Sequence, residues 1–226
     1  MRLLLISSSN VHGYGYLDHA EPEILRVLEG VRNVAFVPFA LQDLDAYTEK
    51  VRERLGRMGF EVTRVRGRAE VDAAEAIFVG GGNTFRLLKK LYELELLSAI
   101  RDRVLQDGIP YIGSSAGTNM AMPTIKTSND MPIVYPPSFD ALSLVPFQIN
   151  PHYLDPDPNS THKGETREER IREFLEENDT PVVGLREGTM LRVVDDSVTL
   201  VGLRPARIFR RGAEPEELPP GSQLAL

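Results

Sequence analysis

The sequence predicts an α/β fold, in which a mostly parallel twisted sheet carries helices on both faces. Two observations support this prediction. Short apolar runs alternate with helix-like segments through the first half of the chain, and glycine-rich turns follow two of those runs. Strands that alternate with helices are joined by right-handed crossovers, which place the strands parallel in one sheet. Because single domains extend to roughly 200–250 residues, we expect the 226 residues to form one domain, 1–226.

Each element follows from apolar periodicity and from the residues that end it. In the helix predicted over 43–58, Tyr47, Val51 and Leu55 recur at i, i+4 and i+8, and Gly59 suits the position after its end. The strands are predicted at 3–6, 34–38, 62–65, 76–79, 111–112, 182–185, 190–194, 198–203 and 206–209. The helices are predicted at 21–28, 43–58, 84–94, 96–106, 118–122 and 167–177.

Two segments lack this periodicity. Residues 123–163 are rich in proline, asparagine, aspartate and serine, and an irregular segment of that length is usually functional or disordered. The acidic, proline-containing segment 214–221 is predicted to be a surface extension.

Composition excludes several classes of function. The chain has no cysteine, which excludes disulfides, thiolate nucleophiles, iron–sulfur clusters and cysteine-ligated zinc. A net charge of −7 and the absence of tryptophan argue against a nucleic-acid partner. No apolar stretch approaches a membrane span or a secretory signal. We therefore expect a cytoplasmic protein without membrane contact, metal or cofactor.

The strongest chemical signal is the pentapeptide Gly-Ser-Ser-Ala-Gly at 113–117. It follows the strand at 111–112 and precedes a helix-compatible stretch, which is the pattern of a nucleophile elbow. Ser115 is then the candidate nucleophile, and the N–H of Ala116 can face a developing oxyanion. A glycine–serine turn without chemistry fits these five residues equally well.

A serine nucleophile needs a base and an acid that orients the base. The chain has four histidines, and His12, His19 and His162 are predicted at the surface. His152 follows a proline that disfavours helix, so it is expected at a loop or strand end and is the best candidate base.

The orienting acid has two candidates. Asp130 lies in a turn-like cluster, and Glu187 follows the strand at 182–185. Sequence spacing does not choose between these two carboxylates.

Three glycines precede Asn83 and Thr84 directly after the strand at 76–79. Either residue can cap the following helix, and the bared backbone can hold an anion. No Walker A or G-x-G-x-x-G pattern is present. With a nearby serine, the turn is interpreted as an oxyanion hole in which Gly81 or Gly82 joins Ala116. A tight strand–helix turn without chemistry is the alternative.

A helix start at 166–169 places a cation where the helix dipole disfavours one. Thr166 and Glu169 form a capping-box pattern, so Arg167 is the first helical residue. A bidentate contact with a carboxylate is one reason for such an arginine. A charged helix face is the simpler interpretation of these residues alone.

Taken together, the chain resembles peptidase E, the α-aspartyl dipeptidase family of serine peptidases. The resemblance runs nearly end to end and rests on the residues at 79–85, 115–119, 127–132, 149–152 and 162–167. It implies a fold like that of class I glutamine amidotransferase domains. It also implies a cytoplasmic homodimer that cleaves dipeptides with an unblocked N-terminal aspartate.

The resemblance also assigns roles to residues. The family's nucleophile falls on Ser115, its base on His152, and its third member on either Asp130 or Glu187. Arg167 takes the place of the arginine that contacts the substrate aspartate, and Asn83 is a second candidate for substrate binding. Ser114 and Thr118 depart from the family pattern, in which tryptophan often precedes the nucleophile.

Two other functions remain open at this stage. A cyanophycinase-like or other acyl hydrolase would use the same serine and histidine on a β-linked aspartyl substrate. A non-catalytic protein would use the glycine turn and Arg167 to hold a small anion.

Overall fold

The computed structural model describes residues 1–159, 161 and 163–225, in which two sheets meet. The larger sheet contains the strands β1 Arg2–Ile6, β2 Asn33–Val37, β3 Glu61–Arg64, β4 Ala76–Val79, β5 Tyr111–Ser114, β8 Thr189–Val194 and β9 Ser197–Gly202. Their order across the sheet is β3-β2-β4-β5-β1-β8-β9. The first five strands in this order are parallel, and β8 and β9 add an antiparallel hairpin at the edge.

The apolar runs become strands with both faces buried. Along β1, Leu3 and Leu5 enter one core cluster while Leu4 and Ile6 enter a second. Strands β2 and β4 alternate in the same way. Continuous apolar strands are typical of a parallel sheet covered on both faces, so the predicted fold class is confirmed.

Helices cover both faces of the larger sheet. The helices are α1 Glu21–Val27, α2 Leu44–Arg57, α3 Arg68–Asp72, α4 Thr84–Glu93, α5 Leu96–Leu105, α6 Ala116–Met120 and α7 Arg167–Glu177. Apolar residues of α1 and α2 lie in one cluster, and those of α4, α5 and α6 lie in the other. Asp43 caps α2 through the N–H of Ala46, and Gly59 follows the helix at φ +95°.

The smaller sheet has the order β11-β10-β7-β6, with strands β6 Gln148–Pro151, β7 Val182–Leu185, β10 Ala206–Phe209 and β11 Glu216–Leu218. Strands β6 and β7 run parallel and pair Pro151 with Leu185 at their last residues. The residues that follow these two strands therefore emerge side by side. Ile149, Val183 and Leu185 pack into the cluster that covers one face of the larger sheet.

Four local features differ from the sequence predictions. Helix α3 was not predicted, because five residues carry too little periodicity. The irregular segment contains β6, a strand of four residues. The acidic tail is not only an extension, since β11 pairs with β10. His19 is half-buried rather than on the surface, and burial lowers its pKa.

Within the described part of the chain, no helix is both long and apolar enough to cross a bilayer.

Candidate functional site

Ser115 stands in strained backbone between β5 and α6. Its φ of +52° and ψ of −106° lie outside the regions that a serine ordinarily adopts. The Ser115 N–H donates to the carbonyl of Ile6 at 2.9 Å, and the Thr118 hydroxyl donates to the same carbonyl at 2.7 Å. These contacts fix the sharp strand-to-helix turn that presents the Ser115 hydroxyl.

His152 follows β6 and faces this hydroxyl. Its Nε2 lies 2.9 Å from Ser115 Oγ, and its φ of +54° shows that the backbone turns sharply at the strand end. The His152 N–H donates to Ser7 Oγ at 2.9 Å, and the Ser7 hydroxyl donates to the carbonyl of Leu185 at 2.7 Å. Ser7 thus ties the end of β1 to the ends of β6 and β7 and fixes the backbone of His152.

Glu187 is the carboxylate that contacts His152. Its Oε1 lies 2.8 Å from Nδ1, the ring nitrogen opposite the one that faces Ser115. In a neutral imidazole, Nδ1–H then donates to Glu187 and Nε2 is left to accept the serine proton. The structure therefore brings Ser115, His152 and Glu187 into one hydrogen-bonded row.

Asp130, the other candidate acid, contacts Thr84 and not His152. Its Oδ2 accepts from the Thr84 N–H at 2.7 Å and from the Thr84 hydroxyl at 2.5 Å. Asn119 donates to that hydroxyl at 2.9 Å. Asp130 is thus bound to the start of α4, and its other oxygen has no hydrogen-bond partner among the described residues.

The glycine turn after β4 approaches Ser115 closely. A Cβ on Gly81 would lie 3.2 Å from Ser115 Cβ, and one on Gly82 would lie 2.6 Å from the Ala40 carbonyl oxygen. Gly82 also has a φ of +136°, which favours glycine. The N–H groups of Gly82 and Ala116 donate to no backbone carbonyl in the described segments, so both are available to an oxyanion.

Gly81 and Asn83, two other residues of this turn, make contacts within the protein. The Gly81 N–H lies beside the Tyr47 hydroxyl, where it opposes the rise in Tyr47 pKa that burial causes. Asn83 caps α4 by accepting from the Arg86 N–H at 3.0 Å, and its amide donates to the Met131 carbonyl at 2.9 Å. The Asn83 side chain thus shapes the turn and its loop.

Arg167 begins α7 as predicted, and the capping-box residues Thr166 and Glu169 lie on either side of it in the chain. Its guanidinium is half-buried and has neither an ion pair nor a side-chain hydrogen bond to a described residue. Burial and the nearby Arg170 lower its pKa, which Asp130 opposes. Arg167 lines a second depression, which shares no lining residue with the Ser115 cleft. The charge of Asp130, a lining residue of the cleft, acts on the Arg167 guanidinium.

The Ser115 row opens into a cleft of about 690 Å³ at the carboxyl ends of the parallel strands. Its lining residues include Ser8, Asn10, Tyr16, Gln42, Asp43, Tyr47, Lys50, Gly81, Gly82, Ser115, Asp130 and His152. Of the other histidines, His12 is exposed, and His162 lies outside the described residues.

Sequence reasoning missed two residues that hold the row together. Ser7 stands in the serine-rich loop after β1, where a strand-end position was the available signal. Arg186, next to Glu187, is 8% exposed and donates to Asp155, Glu217 and the Pro205 carbonyl. It anchors the backbone that presents Glu187.

We expect Arg186→Met to lower the free energy of unfolding by about 2–3 kcal/mol. Removal of the guanidinium leaves the carboxylates of Asp155 and Glu217 without their cationic partner. The two carboxylates are half-exposed, which keeps the cost below that of a fully buried pair. Urea unfolding measures the change. Arg211→Met is the matched control, since its ion pair with Asp179 is exposed and is expected to contribute under about 1 kcal/mol. Equal stability losses in both variants would contradict the anchoring role.

Comparisons with known proteins place this chain in a family. The model of peptidase family S51 matches residues 3–201. A peptidase E of Streptomyces coelicolor is 58% identical, with 100% of this chain and 94% of that protein covered. A probable alpha-aspartyl dipeptidase of Drosophila melanogaster is 53% identical, with 98% of this chain and 95% of that protein covered. A peptidase E of Salmonella paratyphi A is 47% identical, with 99% and 100% covered.

Two solved structures show the same fold at lower identity. A putative peptidase E protein from Listeria monocytogenes EGD-e superposes with a TM-score of 0.68 at 24% identity, covering 89% of this chain and 98% of that chain. A peptidase from an acI-B1 actinobacterium superposes with a TM-score of 0.70 at 19% identity, covering 100% of this chain and 96% of that chain. With a family model matched over most of its length and curated relatives about half identical or more, the chain belongs to peptidase family S51.

Proposed function

We propose that this chain is a serine dipeptidase that hydrolyses dipeptides with an unblocked N-terminal aspartate. One observation carries the proposal: Ser115, His152 and Glu187 form a hydrogen-bonded row at the edge of a cleft. The names of the relatives, peptidase E and probable alpha-aspartyl dipeptidase, indicate the substrate class. Release of free aspartate from Asp-Leu by the purified chain tests the activity.

In the first half-reaction, Ser115 Oγ attacks the carbonyl carbon of the substrate aspartyl residue. His152 Nε2 takes the hydroxyl proton, and Glu187 stabilises the imidazolium through Nδ1–H. The tetrahedral intermediate collapses to an acyl-enzyme when His152 protonates the leaving amine. Water then attacks the ester, with His152 again as the base, which releases aspartate and restores the serine.

The negative oxygen of each tetrahedral intermediate faces the glycine turn. The N–H of Ala116 begins α6, so it has no intrahelical partner, and the Gly82 N–H donates to no described backbone carbonyl. These two groups form the proposed oxyanion hole, with Gly81 kept close by its lack of a side chain. Each such donor contributes about 2.7–4 kcal/mol to lowering the barrier.

The N-terminal aspartate of the substrate carries a positive ammonium and a negative side chain, and one residue of opposite charge is proposed for each. Asp130 lines the cleft and keeps one oxygen unbonded among the described residues, which suits the free α-ammonium. Arg167 is the half-buried cation in electrostatic contact with Asp130, which suits the side-chain carboxylate. Asp43, the other carboxylate of the cleft, caps α2. Asn83 supports this side of the site indirectly, through the helix cap and the Met131 loop.

We expect Arg167→Met to lower kcat/KM for Asp-Leu by about 10²- to 10³-fold, the scale of a lost charge-assisted pair. Turnover of Asn-Leu should change little, because its neutral side chain gains nothing from the guanidinium. Steady-state kinetics on both dipeptides give the comparison, with Arg172→Met on the outer face of α7 as the control. Equal losses on Asp-Leu and Asn-Leu would show that Arg167 does not contact the side-chain carboxylate.

The expected cytoplasmic location and homodimeric state stay predictions. The homodimeric state derives from the resemblance to the family, and the location derives from that resemblance and from the sequence pattern. Light scattering on the purified chain measures the oligomeric state.

A further inference from the structure

The cleft carries one cation that the mechanism above does not use. Among the described residues that line it, Lys50 is the one lysine or arginine. Its ammonium lies 4.1 Å from the centroid of the Tyr16 ring and makes no ion pair with a described residue. We propose that Lys50 binds the C-terminal carboxylate of the substrate and so makes dipeptides better substrates than longer peptides. This inference rests on the proposed function, because it names the contact made by the leaving residue.

Lys50 lies on the face of α2 that borders the glycine turn. Tyr47 precedes it by three residues, which places both side chains on one helix face. A Cβ on Gly80 would lie 2.8 Å from Cε1 of the Tyr47 ring, so this ring packs against the start of the turn. Side chains of a helix lean toward its N-terminus, and for α2 that end lies at the cleft, where Asp43 and Ala46 are also lining residues.

Tyr16 holds the ammonium without neutralising it. Burial and the neighbouring Tyr47 raise the pKa of Tyr16 well above its usual range, so the phenol stays uncharged. A cation above an aromatic face is attracted by the ring quadrupole and keeps its full charge. Lys50 is thus positioned yet still available to an anion, unlike a lysine that is paired with a carboxylate.

Asp130 and Lys50 carry charges that match the two ends of a dipeptide. Asp130 is bound to Thr84, which follows the glycine turn, whereas Tyr47 packs on Gly80, which begins it. The carboxylate and the cation therefore flank the turn that is proposed to hold the oxyanion. A dipeptide spans about 7 Å from end to end, and its ammonium and carboxylate lie on opposite sides of the scissile carbonyl.

The overall charge makes such a point contact necessary. The chain carries −7, so its field repels an aspartyl dipeptide, whose own net charge is −1. A cation beside the leaving residue offsets this repulsion where the substrate binds. A longer or amidated peptide has no carboxylate at that position and loses the contact.

Steady-state kinetics on Asp-Leu and its C-terminal amide, Asp-Leu-NH₂, test the proposal. For the unchanged chain we expect kcat/KM to favour the free acid by about tenfold, the scale of a partly exposed charge-assisted hydrogen bond. In Lys50→Met this preference should fall to within about twofold, with amide turnover unchanged. Lys50→Arg should keep the preference, and salt should weaken it in the unchanged chain.

The control is Lys126→Met, which removes an exposed lysine that is not part of the cleft lining. Activity with an unaltered acid-over-amide preference in Lys50→Met would overturn the Lys50 assignment and leave the proposed function intact. Loss of the preference for Asp-Leu over Asn-Leu in Lys50→Met would instead assign Lys50 to the aspartate side chain. If the unchanged chain cleaves neither peptide, the proposed function fails, and this inference fails with it.

Discussion

Ser115→Ala is expected to lower kcat for Asp-Leu by about 10⁴- to 10⁶-fold, while KM and the unfolding midpoint stay close to those of the unchanged chain. In the proposed mechanism the serine oxygen forms the acyl bond, so no other group in the cleft replaces it. Some turnover above that of water remains, because the oxyanion donors and the substrate contacts are untouched. Quantification of released aspartate by chromatography gives the rate.

Ser114→Ala provides a control one residue away. Its hydroxyl is buried and has no hydrogen-bond partner among the described residues, so its removal costs no contact. We expect this variant to retain activity within a fewfold. Near-normal turnover by Ser115→Ala would show that the hydrolysis does not pass through an acyl-serine.

Glu187→Gln is expected to lower kcat by about 10³- to 10⁴-fold, with little change in KM. The amide that replaces the carboxylate can donate to Nδ1 and so favours the imidazole tautomer whose Nε2 bears the proton. In that tautomer His152 cannot accept the proton of Ser115, although the distances are preserved.

Asp130→Asn separates the two candidate acids. Asp130 contacts Thr84 rather than His152, so its replacement should raise KM through the substrate ammonium and cost kcat less than about tenfold. The opposite result, a large loss of kcat in Asp130→Asn and an active Glu187→Gln, would assign the orienting role to Asp130.

Local patterns predicted much of the central sheet and the sharp turn at the candidate nucleophile Ser115. The apolar runs of β1, β2 and β4 are continuous, so their burial on both faces can be inferred without tertiary information. The elbow around Ser115 is also local, since the flanking glycines and the preceding strand are contiguous. His152 could be chosen because Pro151 restricts the backbone before it and the other histidines lack such a context.

The remaining parts of the site depend on contacts between distant segments. Glu187 lies 35 residues from His152, and only the parallel pairing of β6 with β7 shows that their ends emerge together. Ser7 acts across 145 residues, and no local pattern marks it. The weak elements α3 and β6 have four or five residues each, too few for a periodicity to form.

Turnover of a small substrate panel by the purified chain tests the central claim most directly. The panel comprises α-Asp-Leu, β-Asp-Leu and N-acetyl-α-Asp-Leu, and the measured quantity is kcat/KM for release of leucine. We predict that α-Asp-Leu is cleaved at least about 10²-fold faster than both others. Only this peptide can place its scissile carbonyl at Ser115 while its side-chain carboxylate binds Arg167 and its free ammonium binds Asp130. Faster cleavage of β-Asp-Leu, or equal cleavage of the blocked peptide, would contradict the account.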